Sequence, residues 1–207
     1  MFWVLAPVGA VVLGYVFVGL WMRRHPDAMP YGARFFLGLP RRMLHWRHLL
    51  DVLAVGAGDR VLEVGPGTGY YSLPVASSLN GGTLDVLDVR AEFVDHVARR
   101  AQAAGIANVR PTVGDGAALP YEDGSFDAVF LVTVLGEIPD RRAALLELHR
   151  VLRPGGRLVV GESLAGGDPH YVSFGSLRPQ ADAAGLTFES RSGGRLAYLA
   201  SFRAQAV

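Results

Sequence analysis

The sequence predicts an α/β fold, in which a seven-stranded, mostly parallel sheet carries helices on both faces and is preceded by one transmembrane helix. The first observation is that strand-like and helix-like patterns alternate beyond residue 60, with turns rich in Gly or Asp between them. The second is the amino-terminal run 2–22, which contains no charged side chain. A chain of 207 residues matches about one domain with a single core.

The amino-terminal apolar run is long enough to cross a membrane. At about 1.5 Å of rise per residue, a helix over 2–22 spans roughly the 30 Å of a hydrocarbon core. Trp3 and Trp21 lie near its ends, where indole rings favour the membrane interface. We therefore predict a transmembrane helix over 1–22. The alternatives are a cleaved signal peptide, which should show a basic start and a small-residue cleavage site, and a buried core helix.

A basic, amphipathic juxtamembrane segment, 23–48, follows the apolar run. Because the arginines lie almost entirely after that run, the positive-inside rule predicts a single-pass protein of the cell membrane with the rest of the chain in the cytoplasm. Residues 34–50 interleave arginines with apolar side chains, as does a helix lying on an anionic membrane surface. A helix that packs on the sheet as a cofactor lid is equally compatible with this pattern.

Composition excludes several classes of function. The net charge of +1 gives no argument for a nucleic-acid partner. The absence of cysteine excludes disulfides and thiolate zinc sites, and no spaced cluster of His and carboxylates predicts a metal site. Small residues recur at Ala6, Ala10 and Gly14, a spacing that could seat a second helix in a homodimer.

In chain order, the patterns predict seven strands and four helices after the juxtamembrane segment. The strands lie near residues 60–64, 83–88, 109–113, 126–132, 157–163, 186–192 and 196–203. The helices lie near residues 69–79, 91–104, 141–152 and 174–185. Strands that alternate with helices in this way predict parallel strands joined by helical crossovers.

The first strand ends near an acid, Glu63, and leads into a turn with three glycines, Gly65, Gly67 and Gly69. Glycine adopts positive φ at little cost and lets the backbone approach a ligand. The next helix directs free N–H groups toward an anionic group, which makes Tyr70 a candidate contact. This turn favours a nucleoside cofactor, although ordinary tight turns and nicotinamide sites also use such glycines.

The second and third strands each lead to a carboxylate. Asp88 lies about twenty residues past the last glycine, where a carboxylate can accept both hydroxyls of a ribose. At this point an NAD site and an adenosylmethionine site both fit. The third strand is followed by Gly114, Asp115 and Gly116, which adds a second acid close to the same edge.

Two further motifs complete a recognisable series. Residues 119–129 lead into the fourth strand, and residues 152–160, Leu-Arg-Pro-Gly-Gly-Arg-Leu-Val-Val, lead into the fifth. With the features above, the series over 49–207 resembles the class I S-adenosylmethionine-dependent methyltransferase superfamily. The resemblance implies a Rossmann-like sheet with an antiparallel last strand, a hairpin turn at 192–194, and S-adenosylmethionine as the cofactor.

The resemblance also implies roles for individual residues. Four match the loop that holds the methionine part of the cofactor: Glu63, Gly65, Gly67 and Gly69. Asp88 matches the ribose-binding acid, and Asp115 matches the acceptor of the adenine amino group. Three residues match the wall beside the adenine ring: Gly116, Ala117 and Leu119.

Candidate catalytic residues follow the fourth and fifth strands. In the superfamily the loop after the fourth strand carries substrate-facing groups; here it starts at Thr133, a further candidate for cofactor contact. Glu137 stands where many relatives have histidine, and this departure leaves its acid-base role open. His170 and Tyr171 follow the fifth strand and could meet substrate or simply cap a loop.

Methyl transfer from a sulfonium requires mainly alignment and exclusion of water. The chain shows no insertion that would build a deep lid over a soluble substrate. We therefore predict a lipophilic acceptor presented from the membrane, such as a phospholipid amine or a quinol. The alternatives are a soluble small-molecule acceptor, a non-catalytic cofactor-binding protein, and a nicotinamide-dependent oxidoreductase, which the G-x-G-x-G spacing disfavours.

Overall fold

The computed structural model describes residues 26–28, 30–32, 44–164 and 168–205. The helices are α1 Trp46–Leu53, α2 Ser72–Ser78, α3 Ala91–Ala103, α4 Arg141–Val151 and α5 Phe174–Ala183. The strands are β1 Arg60–Val64, β2 Thr83–Asp88, β3 Val109–Val113, β4 Phe126–Val132, β5 Leu152–Ser163, β6 Leu186–Gly193 and β7 Ala197–Ala204.

The strands form one seven-stranded sheet in the order β3-β2-β1-β4-β5-β7-β6. Neighbours among β1 to β5 pair in parallel, whereas β7 pairs antiparallel with both β5 and β6. The predicted seven-stranded sheet with an antiparallel last strand is therefore confirmed. We call the edge at which β1 to β5 end the carboxyl edge. The strand order reverses between β1 and β4, and α/β sheets bind ligands at the carboxyl edge beside such a reversal.

Helices cover both faces of the sheet, as predicted. One face packs against α4 and α5 through the buried side chains of Leu145, Leu148 and Leu177. The other face packs against α1, α2 and α3, with Leu49 and Val97 among its buried residues. Most side chains of β1, β2, β4 and the second half of β5 are therefore buried on both faces, which explains the nearly continuous apolar runs in the sequence. The side chains of the edge strand β3 are half-buried or exposed.

Two element boundaries differ from the predicted ones by more than two residues. The helix after β1 begins at Ser72 rather than at residue 69, because Gly67 and Gly69 adopt φ angles of 53° and 78°, which a right-handed helix excludes. Strand β5 begins at Leu152 rather than at residue 157. Leu152 pairs with Phe126, and a register shift then separates this first contact from the regular pairing.

Helix α1 crosses the predicted boundary between residues 48 and 49. Leu49 and Leu53 are buried in the core, and the hydroxyl of Tyr71 donates a hydrogen bond to the carbonyl of Leu44 at 2.7 Å. The carboxyl-terminal part of the basic segment thus packs on the sheet. The transmembrane helix predicted over 1–22 lies outside the described residues, and none of the helices that the structure does describe has the length and hydropathy needed to cross a bilayer.

Candidate functional site

The glycine turn after β1 lies at the carboxyl edge of the sheet. Gly65, Gly67 and Gly69 adopt φ angles of 71°, 53° and 78°, a region that side chains other than glycine rarely occupy. The Gly65 N–H donates to the Leu87 carbonyl at 2.8 Å, and a Cβ on Gly65 would collide with the side chain of Val134. The turn therefore holds its bare backbone between the ends of β2 and β4.

Glu63 lies beneath this turn as a buried carboxyl group. Its side chain is 2% exposed, and neither its Oε2 atom nor the Oγ atom of Ser72 makes a hydrogen bond. Burial raises the pKa of Glu63 to about 8, and the nearby Asp88 carboxylate adds to this. The Ser72 hydroxyl lies close enough to favour the ionised form, but without hydrogen-bond geometry. A buried acceptor without a partner suits a ligand that brings a donor, such as an ammonium group.

Asp88 and Asp115 are brought together by the register of β2 and β3. Asp88 pairs with Val113, so Asp115 lies only two residues beyond its cross-strand neighbour. The Asp88 Oδ1 atom accepts the N–H of Arg90 at 2.9 Å, and the Asp115 Oδ1 atom accepts the N–H of Ala117 at 2.8 Å. Burial raises the pKa of Asp88 above its ordinary value, although the Arg90 N–H and guanidinium oppose this.

The predicted wall beside the adenine ring forms a tight surface. A Cβ on Gly116 would lie 3.0 Å from Ile138 Cδ1 and 3.2 Å from Val64 Cγ1, so the backbone there approaches the ends of β1 and the β4 loop. Leu119 is 5% exposed and Ala117 is partly buried against the same core. Tyr70 is half-buried and packs edge-on against Tyr71, whose own ring lies in the core.

The loop after β4 begins with a strained residue. Thr133 has a φ of 56°, which is a genuine outlier for a β-branched side chain. Its N–H donates to the Gly161 carbonyl at 2.8 Å, and its Oγ1 atom donates to the Val132 carbonyl at 2.7 Å. Strain of this kind is concentrated at functional sites in proteins. Glu137 lies further along this loop, half-buried, with its N–H donating to the Val134 carbonyl at 2.9 Å.

His170 and Tyr171 lie in the loop after β5, next to the β4 loop. The His170 backbone packs directly on Gly136. The Tyr171 hydroxyl donates to the Arg195 carbonyl at 2.6 Å, and burial raises the pKa of Tyr171 further above its ordinary value. Tyr171 is therefore neutral near pH 7 and joins this loop to the β6–β7 hairpin, which suits positioning better than proton abstraction.

Sequence reasoning missed Glu162, near the end of β5. This residue is 1% exposed, its Oε2 atom accepts the Val172 N–H at 3.3 Å, and its Oε1 atom makes no hydrogen bond. Burial raises the pKa of Glu162 to about 8. The available signal was a carboxyl group inside an apolar strand, followed at once by the predicted substrate loop.

The residues at the carboxyl edge fit S-adenosylmethionine. Glu63 offers a buried acceptor for an ammonium group, the glycine turn offers space for close approach, and Asp88 and Asp115 offer carboxylates from adjacent strands. The loops after β4 and β5 bring Glu137, His170 and Tyr171 to the neighbouring part of the same edge. The arrangement can therefore hold an adenosyl cofactor on the β1–β3 side and an acceptor on the β4–β5 side.

Comparisons with known proteins point to one family. Residues 61–156 match the methyltransferase domain family. Demethylmenaquinone methyltransferase of Thermus thermophilus is 38% identical over 120 residues, which cover 58% of this chain and 54% of that protein. The ubiquinone/menaquinone biosynthesis C-methyltransferase UbiE of Roseobacter denitrificans is 37% identical over 119 residues, which cover 56% of this chain and 48% of that protein. The chain thus spans about half the length of these curated relatives.

A solved structure gives the same fold. A SAM-dependent methyltransferase from Aquifex aeolicus superposes with a TM-score of 0.77 at 20% identity and covers 86% of this chain and 100% of its own. At this level of identity the likeness concerns the fold alone. The described residues adopt the class I methyltransferase architecture, with the glycine turn, Asp88 and Asp115 at the edge where α/β proteins bind ligands.

Proposed function

We propose, on the premise that residues 61–156 are the methyltransferase domain of an S-adenosylmethionine-dependent enzyme, that this chain is a membrane-anchored methyltransferase for a lipophilic acceptor. The observation that carries the cofactor part is the convergence of Glu63, Asp88 and Asp115 around the glycine turn. In this proposal Glu63 binds the ammonium of the methionine part, Asp88 the ribose hydroxyls and Asp115 the adenine amino group.

The protein's contribution to the reaction is alignment. When bound, the cofactor would supply a methyl group on a positively charged sulfur. An acceptor would attack the methyl carbon in line with the departing sulfur. In the β4 loop, Val134 packs against the glycine turn at Gly65, and Gly136 packs against the backbone of His170. These contacts fix the acceptor side relative to the cofactor side, which is what an in-line displacement requires.

Two observations support a lipophilic acceptor. The apolar run 2–22 predicts an anchor that would hold the domain at the cytoplasmic face of the cell membrane. Two of the relatives carry names that refer to menaquinone or ubiquinone biosynthesis, which favours a quinol over a phospholipid amine. A phenolic methyl acceptor loses a proton during the transfer. Three side chains on the β4–β5 side are candidates to take up this proton: Glu137, His170 and Glu162.

Methyl transfer in isolated membranes tests the proposal. Membranes from a host that expresses the full chain are incubated with S-adenosylmethionine labelled on the methyl group, and vesicles containing a demethylated quinol or an aminophospholipid form two parallel assays. We expect organic-extractable label, largely in the quinol assay, and a strong loss with Asp88→Asn. Asp95→Asn, an exposed carboxylate on α3, is the matched control. Label confined to water-soluble products would contradict the lipophilic acceptor.

A further inference from the structure

Exposed aliphatic side chains are concentrated at one edge of the domain. Among the described residues, four large aliphatic side chains are strongly exposed: Val89 at 56%, Val113 at 54%, Leu146 at 45% and Leu196 at 62%. Single exposed apolar residues are common on soluble proteins and need no explanation. The distribution of these four residues does need an explanation, because all but Leu146 lie at the carboxyl edge.

The sheet topology places these three residues. Val89 directly follows β2, and Val113 is the last residue of β3. Leu196 directly precedes β7, which runs antiparallel to β5 and therefore begins at the edge where β5 ends. The Leu196 carbonyl accepts the Leu164 N–H at 2.7 Å, so a hydrogen bond holds the backbone that carries the exposed Leu196 side chain.

Both positive and negative charges surround these three exposed side chains. Arg191 and Arg195 are exposed in the β6–β7 hairpin beside Leu196, and the Arg191 guanidinium stacks over the ring of Phe174 at 4.7 Å. Exposed carboxylates of Glu92 and Asp115 lie nearer the β2 and β3 ends. The hairpin therefore combines an exposed apolar side chain with cations, a combination that favours an anionic lipid surface. At the β2 end the cation next to Val89 is Arg90, which pairs with Asp27.

Residues 26–28 and 30–32 of the juxtamembrane segment also lie at this edge. The Arg90 guanidinium donates to the Ala28 carbonyl at 2.7 and 3.2 Å and pairs with Asp27 at 3.6 Å. Tyr31 hydrogen-bonds to His96 at 3.1 Å and packs edge-on against Phe93. These contacts fix residues 26–28 and 30–32 against Arg90 and α3, which starts just after the predicted ribose-binding Asp88.

The chain length then limits where a bilayer can be. The apolar run ends at Met22, and the four residues from there to Pro26 span at most about 14 Å even when fully extended. An anchor over 1–22 therefore puts the membrane surface close to Arg90 and the carboxyl edge.

We propose that the carboxyl edge is the membrane-contacting surface of this domain, and that Leu196, Val113 and Val89 enter the headgroup region of a phospholipid bilayer. This inference rests on the membrane anchor of the proposed function and deepens it. In this orientation the cofactor site opens toward the lipid, so a lipophilic acceptor reaches the β4–β5 side without crossing bulk water.

The absence of cysteine from the sequence makes the orientation directly measurable. Leu196→Cys, Val113→Cys and Leu146→Cys are introduced singly into the full chain and labelled with a polarity-sensitive nitrobenzoxadiazole dye. Each protein is reconstituted into vesicles of phosphatidylcholine and phosphatidylglycerol, with and without nitroxide on the acyl chains. All three positions are exposed, so the substitutions leave the core intact, and Leu146 on α4 serves as the control away from the edge.

We expect blue-shifted emission and a loss of intensity to nitroxide lipid at positions 196 and 113, and neither effect at position 146. Flotation of the vesicles separates the two possible failures. A chain that does not float with vesicles contradicts the anchor, and with it both this inference and the membrane part of the proposed function. A chain that floats while all three labels stay in water overturns this inference alone.

Discussion

Gly136 in the β4 loop packs against the backbone of His170 so closely that a Cβ atom would collide with the His170 carbonyl oxygen. The β4 loop also contacts the glycine turn, through Val134 and Gly65. One short loop thus joins the cofactor side of the carboxyl edge to the acceptor side. The spacing between the two sides depends on these contacts.

Gly136→Ala is expected to disturb this spacing. Overpacking against backbone costs about 1–3 kcal/mol of folding free energy, and the loop that carries His170 and Tyr171 must move. We predict a large loss of methyl transfer with a smaller loss of cofactor affinity, measured by product formation and calorimetry. Gly175→Ala, where an added Cβ meets nothing within 4 Å, is the control and should be neutral. Equal activity of the two variants would contradict this role of the β4 loop.

Glu63 should release a proton when the cofactor binds. Its pKa is raised to about 8, so the group is largely protonated at pH 7, and an arriving ammonium favours the carboxylate. Cofactor affinity should therefore increase with pH up to about 8, by at most about tenfold per pH unit. Calorimetry at pH 7 in buffers of different ionisation enthalpy should detect the released proton. Glu63→Gln should abolish the release and weaken binding, whereas the exposed Glu122→Gln should do neither; buffer-independent enthalpies for the wild type would refute the assignment.

Glu162 should make the folded state less stable as pH rises. Its pKa is about 8 when folded against 4.5 for the free group, so the folded state keeps a proton that the unfolded state loses between these values. Its contribution is complete below pH 4.5 and is lost as pH rises to about 8, at up to about 1.4 kcal/mol per pH unit. Asp168 and Glu137 strengthen the shift, Arg141 opposes it, and Tyr171 and Tyr198 pack nearby. Denaturant titrations at a series of pH values give the free energy of unfolding as a function of pH. This free energy should fall less steeply with pH for Glu162→Gln than for the wild type or Glu122→Gln. Equal pH dependence of all three proteins would show that Glu162 is ionised in the folded state.

Thr133 should cost stability through its backbone conformation. A positive φ at a β-branched residue is worth about 1–3 kcal/mol of strain, which glycine would relieve at an entropic cost of roughly 0.5–1 kcal/mol. We predict that Thr133→Gly unfolds at a denaturant concentration no lower than that of the wild type. Thr83→Gly, at the start of β2, should unfold earlier. Equal destabilisation by both substitutions would argue that Thr133 carries no strain.

Local pattern was sufficient for much of the fold. Strands β2 and β3 have the predicted bounds, because β2 ends at an acid, Asp88, and β3 is followed directly by a glycine, Gly114. The antiparallel pairing of β7 with β6 was indicated by the short turn at 192–194, which joins the two strands as a hairpin. The antiparallel pairing of β7 with β5 was indicated only by the family resemblance. The start of α2 was misplaced because helical periodicity extends into the glycine turn.

The site was less accessible. The positions of Glu63, Asp88 and Asp115 near the strand ends could be predicted, because the spacing between a strand end and the next turn is local. Glu162 had only the signal of a carboxyl group inside an apolar strand, because its burial depends on Val172 and on Tyr198 in its antiparallel partner strand. The packing of residues 26–28 against Arg90 depends on a contact between residues 62 positions apart, Arg90 and Ala28, which no local pattern reports.

Calorimetric titration of the full chain with S-adenosylmethionine and with NADH tests the central claim most directly. That claim is that Asp88 and Asp115 hold one adenosyl sulfonium beside the glycine turn. We predict binding of S-adenosylmethionine to the wild type, no binding of NADH, and a loss of affinity of roughly tenfold or more in the variant that combines Asp88→Asn with Asp115→Asn. Unchanged affinity of that variant for S-adenosylmethionine, or comparable binding of NADH by the wild type, would contradict the account.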